Sequence, residues 1–178
     1  MIKSFSVRRT KWNSGTSAVE FAMIAPVFLL LFFSILETGL WFFANLMLDN
    51  AVKTTGRLIR TGQVQGQNMS QAGFRNEICT RVNMIMSCGG DVLLIDVRSF
   101  SNFGAAAFPP PLDHGNLSND LNNFNPGASS KSGQSSIVLV RAFYKWKFFT
   151  PLIGQYFSNM AGDVRLISSS AAFKNEPF

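Results

Sequence analysis

Between Phe21 and Ala44 the chain runs through 24 residues, of which only Ser34, Glu37 and Thr38 are plainly polar. A helix of that length reaches about 36 Å, enough to cross a hydrocarbon core of ~30 Å with some tilt. Every position from Phe21 to Phe33 is apolar, so the segment offers no polar face and does not read as the buried helix of a soluble domain. A cleavable secretory signal fits no better, because its apolar core spans only about 7 to 15 residues. The residues after Gly39, Leu40-Trp41-Phe42-Phe43, are also too bulky for its small-residue cleavage site. The run reads as a transmembrane helix over about residues 21–44.

Charge sets the expected orientation. Lys3, Arg8, Arg9 and Lys11 precede the run with no acid among them, which predicts a cytoplasmic N-terminus and a periplasmic remainder. The net charge of +6 carries little further information. No basic stretch interleaved with aromatics stands out, so nucleic acid is not an expected partner.

Two acids interrupt the apolar stretch. A charged side chain at the bilayer centre costs about 2.5–3.5 kcal/mol on insertion scales, so such residues usually have a function. Glu37 lies 17 residues past Glu20, roughly 25 Å along a helix, which puts the two near opposite interfaces. Glu37, beside Trp41, reads as an interfacial carboxylate in a wet region. Glu20 directly abuts the apolar run and follows the small residues Thr16, Ser17 and Ala18.

The stretch Gly15-Thr16-Ser17-Ala18-Val19-Glu20-Phe21 resembles the processing site of the type IV pilin superfamily in its Flp and Tad branch. Together with Ala25-Pro26 early in the helix and Glu37-Thr38-Gly39 near its end, it is similar to the TadE-like pseudopilins of tight-adherence pilus assembly. The likeness covers roughly residues 14 to 60. It implies that Gly15 precedes the scissile bond, that Thr16 becomes the new N-terminus and that Glu20 is the fifth mature residue, followed by the aromatic Phe21. Leu40 departs from the pattern, standing where many relatives carry a basic residue. The resemblance further implies a prepilin peptidase, a sister pseudopilin, the major pilin and inner-membrane platform proteins as partners, besides membrane lipid. No cofactor and no enzymatic activity are expected, since no catalytic constellation is found among the residues.

Physical chemistry supports such a site independently of the name. Gly15 has no Cβ and an adaptable backbone, and residues Ser14 to Ser17 are weak helix formers that can leave a helix for a protease. Cleavage would place a free amine about one helical turn from Glu20, on the same chain or a neighbour, where low dielectric strengthens the pair. Pro26 removes one backbone hydrogen bond and predicts a local kink or loosening.

Beyond the apolar run, Ala44, Leu48, Ala51, Val52, Thr55, Leu58 and Ile59 recur at helical spacing, which extends one rod to about Arg60, with Gly62 as its terminator. Ser70 reads as the N-cap of a second helix over Gln71 to Met86. Strands are expected at Val92–Phe100, Ser136–Phe148 and Val164–Phe173, with a short helix at Pro151–Met160. The fold class is therefore α+β, divided into a leader 1–15, a long helix 16–61 and a domain 62–178. Segment 101–135, rich in Pro, Asn, Ser and Gly, reads as a mobile surface loop without secondary structure, with contact to a partner as the minority reading.

Cys79 and Cys88 are the only cysteines. In an oxidising compartment they read as one disulfide, with free thiols as the alternative. The sole histidine, His114, sits in the long loop, and no paired His or CxxC spacing points to a metal. Asp113-His114 is accompanied by no nucleophile elbow or phosphate loop. Two other readings stay open: an uncleaved, signal-anchored scaffold or binding protein, and a membrane-tethered enzyme.

Overall fold

The computed structural model describes residues 14–106, 108–127 and 136–176. The basic residues Lys3, Arg8, Arg9 and Lys11 of the leader lie outside the described residues, as do residues 128–135 of the long loop.

A single helix, α1, spans Ser14–Arg60 and continues through Pro26 without a break. It starts two or three residues earlier than the small polar residues suggested, a shift within the usual variation of helix ends. Its polar members are locally satisfied: Ser34 Oγ donates to the Leu30 carbonyl at 2.7 Å and Thr38 Oγ1 to the Ser34 carbonyl at 2.8 Å. Up to Leu36 the large apolar side chains other than the half-buried Leu30 stand exposed, Phe21 at 72%, Phe28 at 62% and Ile35 at 73%. From Glu37 onward one side is covered, and Ala44, Leu48, Ala51, Val52, Thr55 and Ile59 are at most 1% exposed. The last two turns of the expected span 21–44 thus lie against the protein's own domain on one side. Termination is as expected: Gly62 adopts φ 77°, left-handed backbone that glycine accepts without a steric penalty. The Arg60 carbonyl accepts from the Glu176 amide at 3.0 Å, so the end of the last strand covers the end of the helix.

A short helix, α2 (Gln63–Gly66), leads to α3 (Gln71–Val82), where Ser70 Oγ accepts from the Gly73 amide at 3.2 Å as an N-cap. The sequence suggested that α3 would reach Met86. It stops at Val82, and the chain turns back so that Cys79 and Cys88 come to a Cα–Cα distance of 6.0 Å and join as a disulfide. Nine residues of continuous helix would hold them ~13 Å apart, too far for that bond.

The remaining elements are β1 (Leu93–Phe100), β2 (Leu112–Asp113), β3 (Asn116–Leu117), β4 (Ile137–Lys147), α4 (Pro151–Phe157) and β5 (Val164–Lys174). Strands β1, β4 and β5 form an antiparallel sheet in that order, so the fold is α+β with a long, membrane-capable N-terminal helix. One sheet face (Leu93, Ile95, Val97, Val138, Val140, Ala142) packs with α1 and α3 around the main core. Gly56 permits the close approach of β5, since a Cβ there would meet the Phe173 ring at 3.0 Å.

The opposite face is not bare, which corrects the expectation for segment 101–135. Its described residues carry a 3-10 turn (Phe103–Ala105), the β2–β3 ladder and a parallel bridge in which Val97 N–H donates to the Asn123 carbonyl and Asn125 N–H to the Val97 carbonyl, both at 2.8 Å. Leu121 packs with Phe143 and Leu166 in a second small core. The composition of this segment signals turns, and among its described residues Leu112, Leu117 and Leu121 pack in this second core.

Candidate functional site

Gly15, Thr16, Glu20 and Phe21 occupy the first two turns of α1, and all are exposed. Among the described residues nothing lies within 4 Å of where a Gly15 Cβ would stand, and the Gly15–Thr16 bond lies within the first turn of α1. Glu20 makes no ion pair among the described residues. The 17-residue separation from Glu37 places the two carboxylates about 26 Å apart along the helix, at opposite ends of its free apolar length.

Glu37 is not the wet interfacial acid that its neighbourhood in the sequence suggests. It is 5% exposed, and its carboxylate accepts hydrogen bonds from the backbone amides of Phe149 (Oε1) and Thr150 (Oε2, 2.8 Å). A buried carboxylate needs such donors, because loss of hydration is otherwise uncompensated. The two amides lie where β4 passes into α4, so Glu37 pins the base of the domain to the apolar helix. One turn further on, the Trp41 ring sits 6.4 Å from the rings of both Phe148 and Phe157, and the Arg165 guanidinium lies 5.1 Å over it. A cleft of about 650 Å³ opens beside this latch, walled by Leu30, Phe33, Leu36 and Leu40 of α1 and by Ile85, Trp146 and Phe149 of the domain.

A second polar cluster lies on the far face of the sheet. Asp96 is fully buried and accepts from Arg141 Nη2 at 2.6 Å and Nε at 3.0 Å, while Arg98 Nε donates to it at 3.0 Å. Arg141 also donates to the Pro109 carbonyl at 2.7 Å, and Arg98 pairs with Asp120 at 3.0 Å. These bonds strap the 109–125 segment to the sheet, which is a structural rather than a chemical task. Hydrogen bonds from Asn123 and then Arg98 hold the Asp120 carboxyl below the usual range.

The structure brings Cys79 to Cys88 but leaves Glu20 and Glu37 apart. Pro26 lies in the exposed half of α1, and His114 is 97% exposed, with φ 47°. Among the described residues no three His, Cys, Asp or Glu side chains converge as metal ligands would. Sequence reasoning missed Phe149 and Thr150, which carry no side-chain signal because they act through backbone amides. It also missed the Asp96–Arg141 pair, for which a signal existed: Asp96 interrupts the apolar run 92–97 and Arg141 the apolar run 137–144, and the two are directly opposite in the β1–β4 register.

Neither a curated protein nor a solved structure matches the chain. Residues 15–57, which run from Gly15 through Glu20 and Glu37 to the buried distal half of α1, match the model of the TadE-like protein family, so that segment of the chain is similar to TadE-like proteins.

Proposed function

We propose that the chain is a pseudopilin: a membrane-anchored structural component of Tad-type pilus assembly, cut by a prepilin peptidase between Gly15 and Thr16. The single observation that carries this reading is the family match, which begins at the glycine of the processing motif. TadE-like proteins are components associated with the Tad pilus, and the chain has the helix such a component needs, long and apolar enough to cross a membrane. In this reading the leader stays cytoplasmic and the α+β domain faces the periplasm, where Cys79 and Cys88 are kept oxidised. Cleavage frees the Thr16 amine, which pairs with Glu20 of the same or an adjacent subunit and offsets the penalty of holding either charge at the edge of lipid. The sister pseudopilin, the major pilin and the platform proteins of the inner membrane are its partners in assembly, which serves adhesion.

Intact-mass measurement of the full chain, expressed with and without a prepilin peptidase and extracted from membranes, tests the reading. The expected product begins at Thr16, and Gly15→Arg stays full length because the side chain blocks the extended backbone the protease must grip. A chain that remains intact beside an active peptidase would reduce the protein to an uncut, anchored domain.

A further inference from the structure

We propose that the base of the domain is itself a lipid-binding surface, seated in the headgroup layer of the leaflet on its own side of the membrane, with an acyl chain of that leaflet filling the cleft beside Glu37. The inference rests on α1 spanning the bilayer, and three observations carry it from there.

The first is length. With Glu20 at one edge of the hydrocarbon core, Glu37 stands about 26 Å further along, short of the ~30 Å needed to clear the other edge. Glu37 is fixed to the amides of Phe149 and Thr150, so that junction cannot be held away from the membrane. The second is surface chemistry. Phe149 is 83% exposed and Tyr156 82%, Lys147 at the foot of β4 is exposed, and Arg165 caps Trp41. Aromatic rings mixed with snorkelling basic groups are what a membrane interface selects. The third is continuity. The α1 wall of the cleft is the same exposed apolar surface that the spanning segment presents to lipid, and the opposite wall is apolar domain surface. A partner protein would need its own apolar segment at this depth, whereas lipid is already there.

Nitroxide labels on single added cysteines in the full chain, reconstituted in phosphatidylethanolamine–phosphatidylglycerol vesicles with the native disulfide intact, measure depth through collision with oxygen and with a water-soluble nickel chelate. Three sites suffice: Phe28→Cys in the middle of the free helix, Phe149→Cys at the base, and Phe103→Cys beyond the far end of β1 as the aqueous reference. The seat predicts a label at 149 several-fold less accessible to nickel than the one at 103, and richer in oxygen collisions. If 149 matches 103 while 28 remains shielded, the helix spans but the base stands clear, and the proposal is overturned. If 28 is itself open to nickel, the spanning reading fails and the seat fails with it.

Discussion

Glu37 accepts from two backbone amides that lie 112 and 113 positions away in the chain, which makes one carboxylate the joint between the apolar helix and the domain. Removing it leaves two partly buried N–H groups without an acceptor, at about 1–3 kcal/mol each when no water replaces it. Glu37→Ala is therefore expected to lower the domain's unfolding free energy by about 2–4 kcal/mol, followed by urea titration in detergent with tryptophan emission as the signal. Glu37→Gln keeps one acceptor oxygen and should lose roughly half as much. A loss below ~0.5 kcal/mol for the alanine variant would mean the joint contributes nothing, since that is the range of ordinary surface changes. Composition could place Glu37 near an interface, because an acid beside tryptophan at the end of an apolar run belongs there. It could not show that the acid is buried, because the groups that bury it are backbone amides and leave no trace in residue type.

Among the elements, the sheet depends on a charge pair that crosses β1 and β4. Asp96 and Arg141 face each other in register, and both are almost entirely removed from solvent. Asp96→Asn strands the guanidinium of Arg141 and should cost about 3–5 kcal/mol, whereas replacing both residues by leucine and methionine should cost less, because Arg98 Nε and the Pro109 carbonyl then lose a partner but no buried guanidinium is stranded. Thermal or urea unfolding of the single and double variants separates the two cases. The strap on the same face has its own pH dependence. The Asp120 carboxyl has a folded pKa below its unfolded value of 3.8. Its contribution is therefore present above that value and fades as pH falls through the folded pKa. The urea midpoint of the wild type should drop more between pH 6 and pH 3 than that of Asp120→Asn, which has lost this contribution at every pH. Strand positions were legible to within a residue or two because β-branched and aromatic runs bounded by Gly, Pro and Asn leave few choices. The ordering of segment 108–125 was not, since its polar composition hides that Leu112, Leu117 and Leu121 pack with Phe143 and Leu166, and Phe124 with Phe74 of α3. The end of α3 was misplaced for a related reason. Helical spacing continues through Ile85, but α3 stops at Val82 and the chain turns back to the Cys79–Cys88 disulfide.

At the scale of the whole molecule, α1 is two objects on one axis: a free apolar rod up to Leu36, and from Glu37 an element with one side buried in the core. The second half has no independent existence, since Leu48, Val52 and Ile59 are fully enclosed by α3 and the sheet. Mutational sensitivity should therefore change abruptly along a helix that looks continuous. Leu48→Ala removes a side chain with no solvent contact and is expected to cost about 2–5 kcal/mol, unfolding helix end and sheet together because they share one core. Phe28→Ala, in the exposed half, should leave domain stability within ~0.5 kcal/mol while weakening retention in the membrane through loss of apolar area. Paired measurements on the same preparations, urea unfolding in detergent for the domain and carbonate extraction of membranes for the anchor, should show each variant failing only one of the two. If Leu48→Ala left the domain's stability unchanged, or Phe28→Ala destabilised it as strongly, the division at Glu37 would not describe how this protein is held together.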